Sequence, residues 1–349
     1  MSKHSEFEPS SGSRWNPQSI LDALDWEHAR GEVAQENRAL VAIAGLRGAG
    51  KSTLLNRLEG WDVSPVGSSA AGAEPLTGYE DLGMFVLIDL PEDDPESSLA
   101  GMAGDGLSVA ALGEADLIVF LVDGALLAEF DDDAAAALAK AKQMAEYRWL
   151  CRLRSLGRPL IPVLSKGDLL GERLASVKAD LERRLATSLV AVSALEDPDV
   201  GLRLLPRLLD AEPDLLVPLA GEIPALRQQA ANRLIRQTAL LSAVTGLEPV
   251  PLLDLPLQLA LQARLLLRLA AIYGQARPGG SSREMVAAVA GSLGLRYAVQ
   301  QVVKLVPVLG WVVSGILSGL STYLIGRAAA AHYQGVWTEQ VRRLRQRCV

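Results

Sequence analysis

The chain predicts an α/β domain, a mainly parallel sheet with helices on both faces, followed by an all-α domain. Three observations predict it. Short apolar, β-branched runs alternate with helix-like stretches from residue 39 to 212. A glycine-rich loop separates the first apolar run from the first helix of that stretch. From residue 213 onward the β-type runs stop while helical periodicity continues. Strand–helix alternation indicates parallel pairing, because parallel neighbours need a crossover that a helix supplies, and those helices then cover the sheet.

The elements follow in order. Residues 1–14, within "MSKHSEFEPSSGSRW", are polar and are expected to be disordered. Residues 15–38 read as a helix, with Asn16 as cap, Pro17 at the first helical position and Ile20, Leu21 and Leu24 on one face. In residues 39–212, "ALVAIAG", "MFVLID", "DLIVFLVD", "PLIPVLSK" and "SLVAVS" are expected strands. "KSTLLNRLEG", "EFDDDAAAALAKAKQMAEYRWLCRLRSLG", "GERLASVKADLERRLA" and "DVGLRLLPRLLD" are expected helices. Residues 213–349 hold "EIPALRQQAANRLIRQTALLSAVTG" and further helical stretches divided by Gly and Pro.

Composition bounds the function. The 349 residues, 49% hydrophobic and 21% charged, suffice for two domains. Two cysteines and three scattered histidines exclude a disulfide framework and a His/Cys metal site. Mg²⁺ stays open, since it needs only oxygen ligands. The N-terminus lacks an apolar core, so no signal peptide is expected and the expected location is cytoplasmic. The net charge of −7 is asymmetric: from Ala220 onward there are 14 basic and 5 acidic residues, against 20 and 36 before it. A basic back half suits anionic lipid or a solvated helix face. Without an RNA-binding signature or aromatic platform, nucleic acid is a poor fit.

Chemistry concentrates in a few motifs. Gly45, Leu46, Arg47, Gly48, Ala49, Gly50, Lys51 and Ser52, with Thr53 following, fit the Walker A phosphate loop G-x-x-x-x-G-K-[ST] in its strand–helix setting. Backbone N–H groups curl around the β-phosphate there, Lys51 reaches the β/γ-phosphates, and the Ser52 hydroxyl is a Mg²⁺ ligand. Asp89, ending "MFVLID", is a second Mg²⁺-site candidate. Thr77, in the Gly/Ala/Ser-rich loop 64–78, is a candidate third-phosphate sensor and metal ligand, with Ser68 and Ser69 as competitors. In "VLSKGD", Asp168 can accept two hydrogens from guanine that adenine lacks, and Lys166 can lay its stem over the base. Ser165 offers a hydroxyl where an amide is usual. Ser193 and Ala194 in "VAVSAL" supply a small-residue loop for the guanine oxygen.

Together Gly45–Ser52, Asp89, Ser165–Asp168 and Ser193–Ala194 resemble the motifs of translation-factor-like P-loop GTPases, with the Era/TrmE branch and the immunity-related GTPases nearest. The resemblance spans residues 38–212 and implies GTP and GDP as ligands, Mg²⁺, and hydrolysis. Gly48 stands where Era-type proteins place a potassium-binding Asn. Residues 230–335 resemble the bacterial YcjF-type helical domain, which implies a family without a defined activity.

Two features leave alternatives open. The family's switch aspartate is followed three residues later by glycine; here that residue is Glu92, in an acidic Glu92-Asp93-Asp94 triplet. A slow or partner-dependent GTPase and a nucleotide-binding scaffold without turnover both accommodate it. Residues 305–326 contain no formal charge and include the pair Gly315 and Gly319. They suit a membrane span, a buried glycine-packed hairpin, or reversible docking at the inner face of the cell membrane. Membrane or protein partners are therefore expected through residues 213–349, and the oligomeric state stays open, a dimer included.

Overall fold

The computed structural model describes residues 39–60, 79–82, 84–92, 107–127, 133–194, 200–247, 254–275 and 309–347. The N-terminal helix expected at 15–38 and the loop with Thr77 lie outside them. The chain forms two compact units, one of residues 36–230 and one that contains 231–349.

In the first unit, β1 (Val41–Leu46), β3 (Phe85–Leu90), β4 (Leu117–Asp123), β5 (Leu160–Ser165) and β6 (Val190–Ala191) are parallel. A strand the sequence reading left unassigned, β2 (Tyr79–Leu82), pairs antiparallel with β3. The order is β2-β3-β1-β4-β5-β6. The polar sequence of β2 suits an edge, where an apolar run is not needed. All six residues of β1 and all seven of β4 are buried. This explains their unbroken apolar runs, since both faces of a covered parallel sheet are dry.

The helices share the two faces. Ala42, Ala44, Val86, Ile88, Ile118 and Phe120 form one core with α2 (Leu107–Glu114) and α3 (Asp133–Ser155), where Trp149, Leu150 and Leu153 are buried. The alternate residues Ile43, Leu87, Val119 and Val163 point the other way and are equally buried. On that side α1 (Lys51–Glu59) packs on β1 and α5 (Leu205–Ala211) on β5, burying Leu54, Leu55, Leu205 and Leu208. A further helix, α4 (Leu174–Leu185), precedes β6, and α6 (Leu216–Glu222) follows α5. Parallel register brings Gly45 beside Asp89, and Asp123 beside Ser165. The carboxyl ends of four strands thus meet at one edge, where such sheets bind ligands.

The second unit contains most of α7 (Arg227–Thr245), with α8 (Asp254–Ile272) and the 39-residue α9 (Leu309–Arg347). Glycines set the α7–α9 spacing. A Cβ on Gly315 would lie 2.8 Å from the Ala243 carbonyl, and one on Gly319 would lie 3.0 Å from the Ala239 carbonyl. Small hydroxyls fill the seam: Thr322 Oγ1 donates to Ser242 Oγ at 2.8 Å, and Gln262 Nε2 donates to Thr322 Oγ1 at 3.0 Å. Among the described residues no helix is long and apolar enough to cross a membrane. Residues 305–308 lie outside the described residues; in the described part of 305–326, Gly315 and Gly319 pack on α7, and Ser314, Ser318 and Thr322 are buried.

Candidate functional site

The phosphate-loop motif lies where β1 turns into α1. Gly48 and Gly50 have φ of +86° and +93°, a region that side-chain-bearing residues enter only with strain. The Ala49 N–H closes the turn by donating to Leu46 O at 3.1 Å. No side chain caps α1. Its first N–H groups therefore face the loop mouth at the positive end of the helix dipole, a ready anion cradle.

Lys51 is 7% exposed. Its Nζ donates to Gly45 O at 3.0 Å and Leu46 O at 2.8 Å, and pairs with Asp89 Oδ1 at 2.5 Å. Burial pushes the ammonium below its ordinary value of 10.5, and the neighbouring Asp89 carboxylate opposes the shift. The Asp89 side chain remains 51% exposed at the end of β3.

The second group of motif residues lies at the ends of β5 and β6. Lys166 has φ 52° and ψ 38°, left-handed for a residue that is not glycine. Three contacts hold it there. Lys166 Nζ meets Asp123 Oδ2 at 2.8 Å. The Gly167 N–H donates to Val192 O at 3.2 Å, and the Leu169 N–H to Lys166 O at 3.2 Å. Ser165 Oγ donates to Val122 O at 3.1 Å, which ties the strand end to β4.

These two groups share one cavity. It has a volume of about 200 Å³ and is lined by Gly50, Thr53, Ser165, Lys166, Asp168, Ser193 and Ala194, among others. Ser193 is 1% exposed, and its hydroxyl has no hydrogen-bond partner among the described residues. A buried polar atom without a partner is costly, so such an atom on a cavity wall favours a ligand that satisfies it. A larger and more open hollow of about 440 Å³, lined in part by Lys178, Arg203 and Arg207, holds none of the motif residues.

Among the described residues no group of three or more His, Cys, Asp and Glu converges. Mg²⁺ held with nucleotide phosphates asks for only one or two protein oxygens, which the Ser52 hydroxyl and Asp89 carboxylate can supply. The residues fit.

The family described as a 50S ribosome-binding GTPase matches residues 40–166, and the domain of unknown function DUF697 matches residues 213–342. The chain is a P-loop GTPase domain fused to a helical DUF697 domain. Curated relatives include Magnetosome membrane protein 22 of Magnetospirillum gryphiswaldense, 29% identical over 117 residues, which are 31% of this chain and 60% of the relative. GTPase Der of Moorella thermoacetica is 30% identical over 231 residues, 63% of this chain and 47% of the relative. The chain thus spans about half to three fifths of the length of the curated relatives it matches. Among solved structures, a probable GTP-binding protein engB is 19% identical, with a TM-score of 0.34, covering 50% of this chain and 98% of that one. The FeoB G-domain from Methanococcus jannaschii is 21% identical, with a TM-score of 0.27, covering 49% and 95%.

The GTPase domain also holds site residues that sequence reasoning missed. Asp123 ends an apolar strand as Asp89 does, and that shared position was an available signal. Its Oδ1 accepts the Ala125 N–H at 2.9 Å while Oδ2 holds Lys166. Behind it, Glu146 Oε1 accepts the Asp123 N–H at 2.8 Å. Burial pushes Glu146 up to about 8, with the Asp123 charge adding to the shift and Lys166 and Lys142 opposing it. Nothing in an alanine-rich helix marks Glu146 as buried; packing alone decides it. Glu92 is the other difference. Standing where the family has glycine, it pairs with Lys142 of α3 at 2.8 Å. Trp149 Nε1 donates to Pro91 O at 2.8 Å, so the segment leaving β3 is anchored on α3.

Proposed function

We propose that this GTPase is a guanine-nucleotide switch that binds Mg²⁺-GTP, hydrolyses it to GDP and phosphate, and passes the change to the helical domain, which engages a membrane. The observation that carries the nucleotide part is the single cavity gathering Gly50, Thr53, Lys166, Asp168 and Ser193, with the Ser193 hydroxyl unpartnered.

In this reading the loop N–H groups of residues 48–53 hold the β-phosphate. Phosphate oxygens compete with Asp89 for the Lys51 ammonium, which turns a buried ion pair into a sensor of the nucleotide. Ser52, Asp89 and Thr77 are the metal-site residues. The metal, when bound, neutralises charge between the β- and γ-phosphates. Asp168 accepts two hydrogens from guanine, Lys166 covers the base, and the Ser193–Ala194 backbone meets the guanine oxygen. No Gln adjoins Glu92 to orient water, so turnover is slow or partner-dependent. The scaffold alternative rests on the acidic Glu92-Asp93-Asp94 triplet in place of the switch glycine; the pairing of Glu92 with Lys142 speaks against it at Glu92, while Asp93 and Asp94 lie outside the described residues. The membrane part draws on the basic back half of the sequence and on the printed name of the magnetosome relative. It places the protein at the inner face of the cell membrane.

Titration calorimetry with GDP, GTP and ATP tests the binding reading. Guanine nucleotides bind and ATP does not, and Lys51→Ala weakens GTP about tenfold to a hundredfold, as expected for one charged hydrogen bond. Equal ATP affinity overturns the guanine assignment. Phosphate release at saturating GTP, with and without vesicles, tests hydrolysis; no turnover in either condition overturns it.

A further inference from the structure

One end of the helical domain has inverted polarity. It is the end where α7 finishes and where α8 and α9 begin, since Gly246 of α7 packs on Gly315 of α9, and Gln262 of α8 bonds Thr322 of α9. Inside are Ser242, Ser314, Ser318 and Thr322, all 0% exposed, with Gln262 at 1%. Outside are Leu240 and Val244 of α7, Leu257 of α8, and Ile316, Leu320 and Leu324 of α9, each 46% exposed or more. The α9 residues recur every fourth position and so form one stripe. A bundle folded against water places these two sets the other way round. Hydrocarbon as the outer solvent favours the arrangement found, with the Ser242 and Thr322 hydroxyls and the Gln262 Nε2 amide hydrogen-bonded between helices and glycines allowing close approach.

The charges add a second, independent observation. Moving away from this end, the first basic residue is Arg236 in α7, Arg264 in α8 and Arg327 in α9. All three are exposed. They stand at one level, because a Cβ on Gly326 would lie 2.8 Å from Ile235 and 3.2 Å from Leu265, the sequence neighbours of the three arginines. Within the described residues between that level and the tip, the only charged residue is Asp254, the first residue of α8. From this level to the tip, the described stretches of α7 and α8 rise about 15 Å, roughly half of a hydrocarbon core of about 30 Å, while the charge-free part of α9 continues to Leu309, about 27 Å from Arg327. On α7 and α8 the apolar zone is one leaflet deep.

We propose that this end of the helical domain inserts into one leaflet of an anionic lipid bilayer, with the Leu/Ile/Val surface of α7, α8 and α9 among the acyl chains and Arg236, Arg264 and Arg327 at the phosphate level. The proposal rests on the membrane part of the proposed function and is independent of nucleotide turnover. Competing occupants of the surface are a second copy of the chain and residues 276–308 of the chain itself.

The test is flotation of the full chain with vesicles of phosphatidylcholine alone and with added phosphatidylglycerol. GTP binding is measured on the same samples. The wild type floats with the anionic vesicles. Ile316→Asp with Leu320→Asp lowers the bound fraction at least tenfold while GTP binding is kept, and glutamate at the three arginines removes the preference for anionic lipid. A second measurement does not depend on those variants. With Cys151 and Cys348 replaced by serine, an environment-sensitive fluorophore on Leu320→Cys shifts to the blue on vesicles and is quenched by acyl-chain spin labels. The same label on His332→Cys, beyond the arginine level, does neither. The proposal is overturned by an absence of flotation, by flotation that survives both aspartates, by an unshifted Leu320 label, or by a dimer that the aspartates dissolve in place of vesicle binding. Loss of GTP binding with flotation retained counts against the proposed nucleotide function and leaves the leaflet insertion standing.

Discussion

Glu146 offers a stringent check on the interior of the GTPase domain. The carboxyl is 4% exposed and accepts the Asp123 N–H, and burial raises it from 4.5 to about 8. Below about pH 4.5 the group is protonated in both folded and unfolded chains and costs nothing. Between the two values the folded chain holds a proton the unfolded chain has released, so stability falls as pH rises, by up to about 1.4 kcal/mol per pH unit. Above about pH 8 both states are ionised, and the full penalty, on the order of 5 kcal/mol, is present. Glu146→Gln removes the ionisation, and its amide oxygen can still accept the Asp123 N–H. The variant therefore keeps its stability towards pH 9 while the wild type loses several kcal/mol. Amide hydrogen exchange of β4 and α3, which reports on this domain alone, follows both proteins between about pH 5 and pH 9 after correction for intrinsic rates. Parallel profiles for the two proteins would refute the reasoning, because they would mean that ionising this buried group costs nothing.

Three further outcomes are expected. Asp168→Ala weakens GTP about a hundredfold or more, as two charge-assisted hydrogen bonds to guanine are lost, and leaves ATP binding unchanged in the same titration. Gly315→Ala forces a Cβ to 2.8 Å from the Ala243 carbonyl, where backbone cannot yield cheaply, and lowers the unfolding free energy of the helical domain by about 1–3 kcal/mol. Gly335→Ala in the same helix meets no atom within 4 Å and raises it by up to about 1 kcal/mol, both read by thermal melts. Glu92→Gly removes only an exposed ion pair with Lys142, so it changes stability by less than about 1 kcal/mol and leaves GTP turnover unaltered in a phosphate-release assay.

Much of the fold and of the candidate site was legible in the sequence, because the signals are local. A buried parallel strand must be apolar throughout, so β1, β3, β4 and β5 announced themselves, and Gly48 and Gly50 mark a turn that only positive φ can make. The edge strand β2 did not, since Tyr79-Glu80-Asp81-Leu82 carries no apolar run and forms only because β3 offers it a partner.

By itself, then, the sequence determined the alternation of β1, β3, β4, β5 and β6 with the longer helices, the phosphate loop, the guanine-type motifs and the change to an all-helical back half, while β2 and the short helix α2 went unread. Each of these is written in spacings of a few residues. Only the tertiary structure decided that Asp123 holds Lys166, that Glu92 pairs with Lys142, and that Glu146 is buried behind both motifs. Those contacts join residues 20 to 50 positions apart, and no periodicity encodes them. The helical domain gives the sharper case. Its sequence shows Leu, Ser and Gly interleaved at helical spacing, a pattern that fits an apolar core or a polar one equally well. Which face turns inward is set by close packing at Gly315, Gly319 and Gly326, where a larger side chain would collide with the neighbouring helix. That packing buries Ser314, Ser318 and Thr322 and leaves Ile316, Leu320 and Leu324 of the same helix outside.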